Sequence, residues 1–153
     1  MPPFEIETVQ ALKNFVGREV GVSDWHAITQ HQVQQFADAT GDHQWIHLDR
    51  QRAQRESPFG ATIAHGFLTL SLISSLMKEA VQIRGARLVV NYGLNRVRFP
   101  APVRVDSKVR ARFSVLAVKG LGNSLEATFS VTVECDSANK PCCVAEWLLR
   151  YYV

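Results

Sequence analysis

Cysteine is scarce in this chain, with 3 in 153 residues at Cys135, Cys142 and Cys143. An odd number with two adjacent fits neither a disulfide framework nor the paired spacing of a zinc site. A reducing cytoplasm is the expected location. No block of like charge occurs either. The 17 Lys and Arg against 14 Asp and Glu leave a formal charge of +3 and a pI near 8.9, but the cations are spread along the chain. That argues against nucleic acid as a partner and suits a small anionic ligand instead. The opening MPPFEIETVQ carries acids and lacks the apolar stretch of a signal peptide. The most apolar run, residues 63–83, is interrupted by His65, several serines, Lys78 and Glu79. It reads as the buried helix of a soluble protein and not as a membrane span. No repeat, low-complexity tract or linker divides the chain. With 46% hydrophobic and 20% charged residues, residues 1–153 are expected to form one globular domain.

Two kinds of periodicity are present. In the first half, Thr29 followed by Gln32 has the form of a capping box that Ile28 and Val33 can staple, so a helix is expected to start near Gln30. Val33, Phe36 and Ala37 share one face, and Gly41 is placed to end the helix in a left-handed conformation. Residues 42–47 then read as a loop. DRQRAQRE reads as a short exposed helix capped by Asp49 and closed off by Pro58 and the Phe59-Gly60 turn. A second long helix is expected from about His65 to Val81. Its apolar residues Phe67, Leu68, Leu70, Leu72, Ile73, Leu76, Met77 and Val81 lie on nearly every side, which places it inside something.

The second half changes to period two. Val109, Ala111, Phe113 and Val115 alternate with Lys108, Arg110, Arg112 and Ser114, and residues 125–133 repeat the pattern. These are long antiparallel strands with one wet face. KGLGN at 119–123 and DSANKP at 136–141 supply turns, and residues 87–99 and 145–151 add strands. FPAPV forces a bend or an edge, because proline cannot donate to a ladder. Phe113 and Trp147 read as core or interface packing. The sum is an α+β fold, one antiparallel sheet wrapped around a long central helix.

Chemistry-bearing residues gather in FADATGDHQWIHLD, residues 36–49, where Asp42, His43 and His47 follow a helix stop. Alone, such a loop is ordinary surface chemistry. Together with PFGATIAHGFLTLSLISSL and YGLNRVRFPAPV it resembles the MaoC-like (R)-specific enoyl-CoA hydratases of the hot-dog fold, in particular the branch related to nodulation protein N. The motif-bearing part spans residues 36–103, and the flanking strand pattern extends the match over nearly the whole chain. The resemblance implies that Asp42 and His47 are the catalytic acid-base pair, which the family carries five residues apart in a D-x-N-P-x-H segment. It also implies that the amide of Gly66 in Ala64-His65-Gly66 faces the thioester carbonyl and that Ser74, further along the helix, supports the pair. Gln44 and Trp45 stand where the family has Asn and Pro. The implied substrate is a trans-2-enoyl-CoA, hydrated to an (R)-3-hydroxyacyl-CoA. Coenzyme A is part of that substrate, and no other cofactor and no metal is expected. The implied assembly is a homodimer, without nucleic acid or membrane as a partner.

The chemistry explains these residue types. Hydration puts the oxygen of water on the β-carbon and a proton on the α-carbon, so a proton acceptor and donor must flank one water. Charge then builds on the thioester oxygen, which amides at a helix start, with the dipole behind them, can stabilise. Glycine at 66 would let the substrate approach the backbone.

Gln44, Trp45, His65, Arg96 and Arg98 are the candidate substrate contacts, and each has a plainer reading. His65 can bind a nearby carbonyl, and Ser74 can be a small residue that admits a close neighbour. Arg96, Arg98 and Arg104 either meet the phosphates of coenzyme A or form a solvated strand face. Trp45 either lines an acyl tunnel or packs under the loop where proline is missing. His43 reads as an exposed loop residue, and His26 and His31 belong to no motif. Two other function classes stay open. One is an acyl-CoA thioesterase, in which an acid near a helix N-terminus turns water on the carbonyl; the other is a non-catalytic acyl-CoA-binding or regulatory module. A single curved sheet leaves an open edge that a second copy would close.

Overall fold

A computed structural model describes residues 1–153. Its frame is an antiparallel sheet in the order β2-β6-β7-β8-β5, made of β2 Glu19–Val22, β5 Leu88–Arg98, β6 Lys108–Gly120, β7 Ser124–Cys135 and β8 Cys143–Tyr152. β3 His26–Ala27 joins β6 beside β2, and β1 Phe4–Ile6 pairs in parallel with β4 Val81–Ile83. The three short N-terminal strands and the 3-10 helix Gln10–Phe15 carry no periodic signal in the sequence.

Alternation sets which face is wet. Val109, Ala111, Phe113, Phe129, Val131 and Val133 are buried, and Trp147 joins them from β8. Their neighbours point outward, where Arg110 and Arg112 both pair with Glu134, and Arg150 pairs with Glu126. The 119–123 segment closes the β6–β7 turn, with the Leu121 N–H donating to the Ser124 carbonyl at 2.9 Å.

The first helix, α1 Gln30–Thr40, starts and stops on the expected residues. Thr29 Oγ1 accepts the Gln32 N–H at 3.1 Å, and Gly41 ends the helix at φ 82°. Asp49 caps α3 Arg50–Glu56, its Oδ1 accepting the Arg52 N–H at 3.0 Å. Between them the structure corrects the loop reading, because residues Trp45–Leu48 form a helical turn, α2, which buries His47. Non-local bonds close that turn onto the body of the protein, the Ile63 N–H donating to the Ile46 carbonyl at 3.0 Å.

The long helix, α4 Gly66–Ala80, lies against the sheet. Leu68, Thr69, Ile73, Leu76, Met77 and Ala80 form its buried stripe. The expected burial on all sides holds for that stripe only. Phe67 is 71% exposed, and Ser71, Ser74 and Lys78 continue its open face. A sheet can cover just one side of a helix, so Leu70 and Leu72 are only partly buried and Phe67 stays uncovered in a single chain. The same is true of β5, whose free edge exposes Leu88, Val89, Val90, Tyr92 and Leu94.

Helix and sheet approach most closely at Gly21 of β2, where an added Cβ would run into the carbonyl group of Ala80. Backbone atoms cannot move aside as a flexible side chain can. Gly21→Ala is therefore expected to cost ~1–3 kcal/mol, the usual range for overpacking. Chemical denaturation measures this, and a variant as stable as the parent would mean that β2 slides freely past the helix end.

No helix is long and apolar enough to cross a membrane. The three cysteines are free and buried. Burial pushes the Cys142 thiol up to about 12 and that of Cys143 up to about 11, so both stay protonated and unreactive at neutral pH.

Candidate active site

The turn α2, the end of α1 and the start of α4 bring Asp42, His47 and His65 together, one side-chain oxygen or nitrogen of each lying within 4.8 Å of the others. Asp42 is open to solvent, whereas His47 is 7% and His65 3% exposed.

His47 Nδ1 lies 2.7 Å from the Ile63 carbonyl oxygen. A carbonyl only accepts, so Nδ1 carries the hydrogen and Nε2 keeps a free lone pair. The backbone of His47 is held as well. Gln30 Nε2 donates to its carbonyl at 2.7 Å, and Gln30 Oε1 accepts from the buried Thr62 hydroxyl at 2.7 Å. Gln30, Thr62 and the Ile63 carbonyl escape a reading of the sequence, because an amide, a hydroxyl and a main-chain oxygen leave no spacing signature.

Burial holds the His47 imidazole below the usual histidine value of 6.5; the neighbouring His65 acts in the same direction, while the Ile63 bond and the Asp42 charge oppose them. His47 is thus expected to titrate below 6.5. Below that pH the unfolded chain takes up a proton that the folded chain resists, so stability falls as pH drops through the interval beneath 6.5 and is unaffected above it. NMR titration of the His47 ring checks the direction, and a midpoint above 6.5 would contradict it.

Asp42 follows the left-handed Gly41. Its Oδ1 accepts the Gln44 N–H at 3.3 Å, and its carbonyl accepts the His65 Nε2–H at 3.0 Å. His43 turns away to Asp38, Nε2 to Oδ1 3.0 Å. That hydrogen bond raises the His43 ring and lowers the Asp38 carboxyl from their ordinary values, and leaves His43 outside the cluster.

The His65 ring stacks on that of His47 with centroids 3.8 Å apart and planes inclined by 22°. Phe36 of α1 leans on His65 at 4.9 Å. Nearly parallel rings send their in-plane lone pairs side by side and not toward one point ~2 Å from both, so the trio suits a hydrogen-bonded water better than a chelated ion.

At the start of α4 the amides of Gly66 and Phe67 donate to no protein group, as the first turn of a helix allows. The space that Gly66 leaves is not empty, however. A Cβ there would lie 3.2 Å from the Phe99 ring, so the glycine seats Phe99 against the helix. Phe99, 42% exposed, sits on the wall of a cavity of ≈ 410 Å³ with Phe59, Ile63, Gly66, Thr69 and Cys142.

Other candidates fall elsewhere. Ser74 lies two turns further along α4, about 12 Å from Gly66 at 1.5 Å per residue. It lines a separate cavity of ≈ 540 Å³ with Met77, Val89, Trp147 and Tyr151, so within one chain it does not support the pair. Arg96 borders a hollow on the outer face of the sheet with Ser130, Thr132 and Glu146. Arg98, two residues on, is exposed and donates to the adjacent Val97 carbonyl at 2.7 Å. Strand alternation puts both arginines on the side away from α4 and from the pair. Trp45 is half-buried with the Arg52 guanidinium 4.1 Å over its ring, and it lines neither cavity. Gln44 is exposed and meets Asp42 through its backbone alone.

Residues 11–136 match the MaoC like domain family. The chain is 54% identical over 146 residues to the 3-hydroxyacyl-thioester dehydratase Z of Mycobacterium tuberculosis, covering 95% of this chain and 96% of that protein. It is 47% identical over 135 residues to nodulation protein N of Rhizobium leguminosarum bv. viciae, covering 87% and 84%. Among solved structures, the R-hydratase PhaJ1 from Pseudomonas aeruginosa in its unliganded form superposes with a TM-score of 0.68 at 26% identity, over 90% of this chain and 81% of that one. Similarity of this extent, on a long helix laid against a six-stranded antiparallel sheet, means that the chain belongs to the MaoC-like dehydratase family of the hot-dog fold.

Proposed function

We propose that this protein catalyses the reversible, (R)-specific hydration of trans-2-enoyl-CoA to (R)-3-hydroxyacyl-CoA, as an enoyl-CoA hydratase or, in reverse, a 3-hydroxyacyl-CoA dehydratase. The observation that carries the reading is His47, a buried imidazole whose Nδ1–H is tied to the Ile63 carbonyl, which leaves Nε2 free, and whose ring is grouped with the Asp42 carboxylate. A water between them loses a proton to the pair as its oxygen bonds to the β-carbon, and the pair returns a proton to the α-carbon to complete the addition. The electron pair displaced from the double bond passes through the thioester oxygen, and the amides of Gly66 and Phe67, which have no protein acceptor, would receive that charge. Positioned acid-base groups contribute ~10²–10⁴ in rate. The names of a 54%-identical thioester dehydratase and a structurally similar R-hydratase support the same chemistry.

The reaction so proposed needs no cofactor beyond the coenzyme A of the substrate, and residues 1–153 act as one cytoplasmic domain. A homodimer closes the apolar edge that β5 leaves open. Sedimentation at micromolar concentration is expected to show the dimer, and an active monomer alone would refute it.

Crotonyl-CoA and longer enoyl-CoAs test the activity, with loss of the conjugated absorbance and release of thiol followed separately. Absorbance loss without thiol supports hydration, and chiral analysis should return the (R) product. Thiol release would instead mark a thioesterase, and binding without turnover a regulatory module.

Trp45 bears on chain length. Packed under Arg52, it holds the turn that carries His47, so Trp45→Ala is expected to lower kcat/KM about equally for every enoyl chain. A shift of preference toward longer chains, where each accommodated methylene is worth ~1–3 kcal/mol, would instead place the ring in an acyl tunnel.

A further inference from the structure

We propose that His65 is a positioning residue that holds both members of the Asp42–His47 pair at once, its Nε2–H fixing the backbone of Asp42 and its ring face fixing the imidazole of His47. The inference rests on the hydration chemistry proposed above.

His65 occupies the N-cap of α4, a position where Ser, Thr, Asp or Asn ordinarily bond to the first free amides. Its side chain makes no such bond. It reaches instead to the carbonyl of Asp42, 23 residues earlier, at 3.0 Å. Asp42 needs an anchor from outside its own segment. Its other bonds are local and longer, 3.3 Å from the Gln44 N–H to its Oδ1 and 3.5 Å from its N–H to Thr40 Oγ1. The carboxylate that must face the water is thus aimed by a backbone that His65 pins.

The second contact is the stack. His47 has one ring bond, to Ile63, and a ring held by one bond can still swing about it. The face of His65 at 3.8 Å, backed by Phe36 at 4.9 Å, removes that freedom. At 3% exposure His65 is the deeper of the two imidazoles. Its Nε2–H is spent on the Asp42 carbonyl and its Nδ1 is buried without a protein partner, so the ring positions its neighbours while His47 keeps a free nitrogen for the proton. The titratable groups facing His47 are Asp42 and His65.

Two variants separate the two contacts. His65→Gln keeps an N–H for the Asp42 carbonyl and loses the ring face; His65→Phe keeps the face and loses the donor. Each is expected to lower kcat for crotonyl-CoA by ~10–10²-fold with KM within about twofold, because misplacing reacting groups by an ångström costs rates of that order. In the Gln variant the pH profile of kcat should also move, because loss of the His65 ring uncovers one face of His47 and changes the burial that holds its proton affinity down. Folded variants with kcat and pH profile within twofold of the parent would overturn the proposal.

The unaltered protein supplies a measurement independent of activity and of any folding defect. Two-bond ¹H–¹⁵N correlations should show His65 as the Nε2–H tautomer and His47 as the Nδ1–H tautomer. The opposite tautomer at either ring overturns the proposal. Failure of the parent to hydrate any enoyl-CoA would refute the proposed function, while the tautomers would still report on the contacts of His65.

Discussion

Asp42→Asn and His47→Gln are each expected to cut enoyl-CoA turnover by ~10²-fold or more while leaving the fold intact. Asn keeps the shape of Asp42 and the acceptor for the Gln44 N–H, and removes only the charge and the proton-accepting oxygen. Gln at 47 can still donate to the Ile63 carbonyl, so the turn α2 keeps its anchor while the free imidazole nitrogen is lost. With both residues acting on one water, as proposed, the double variant should be little slower than the worse single one, far from the product of the two losses. Steady-state rates, with denaturation curves to confirm folding, measure this. Near-normal turnover in either single variant would remove that residue from the chemistry.

Phe113→Ala should have the largest effect on stability. Phe113 is fully buried at the middle of β6, opposite Gly21 of β2 and Val131 of β7, where the sheet meets the helix. Truncating a buried phenylalanine costs ~3–5 kcal/mol through lost transfer energy and an unfilled cavity. At roughly 2–4 °C per kcal/mol for a chain of this length, Tm should fall by about 6–20 °C. Thermal unfolding reads the change directly. A fall of a degree or two would mean that the core around β6 collapses to fill the space.

The contrast between these two sites bears on what could be read in advance. Phe113 declares itself by alternation with Arg112 and Ser114, because in a strand the face a side chain takes depends only on odd or even position. Thr29, Gly41 and Asp49 declare themselves for a similar reason: a cap is a bond or a dihedral angle within three or four residues of the chain. Asp42 and His47 were legible through resemblance of their segment to a known motif, and the structure groups them. His65 carried a visible motif with the wrong emphasis, since its partners lie 18 and 23 positions earlier and nothing in its own neighbourhood indicates them. Ser74 was assigned by the same resemblance and Arg96 and Arg98 as candidate phosphate contacts, and in the single chain the helix rise and the strand alternation carry them away from the pair.

By itself, then, the sequence determined the two longer helices and the long strands, the caps of α1 and α3, the inward faces of β6 and β7, and the segment in which the chemistry sits. All of these follow from local dihedral preferences and short-range periodicity. Only the tertiary structure decided that residues 45–48 coil into a turn, that Phe99 fills the space at Gly66, that α4 is covered on one side, and that His65 lies between Phe36 and His47. Each of these depends on contacts between segments far apart in the chain, where the energy of burial selects one packing among many that the local pattern permits.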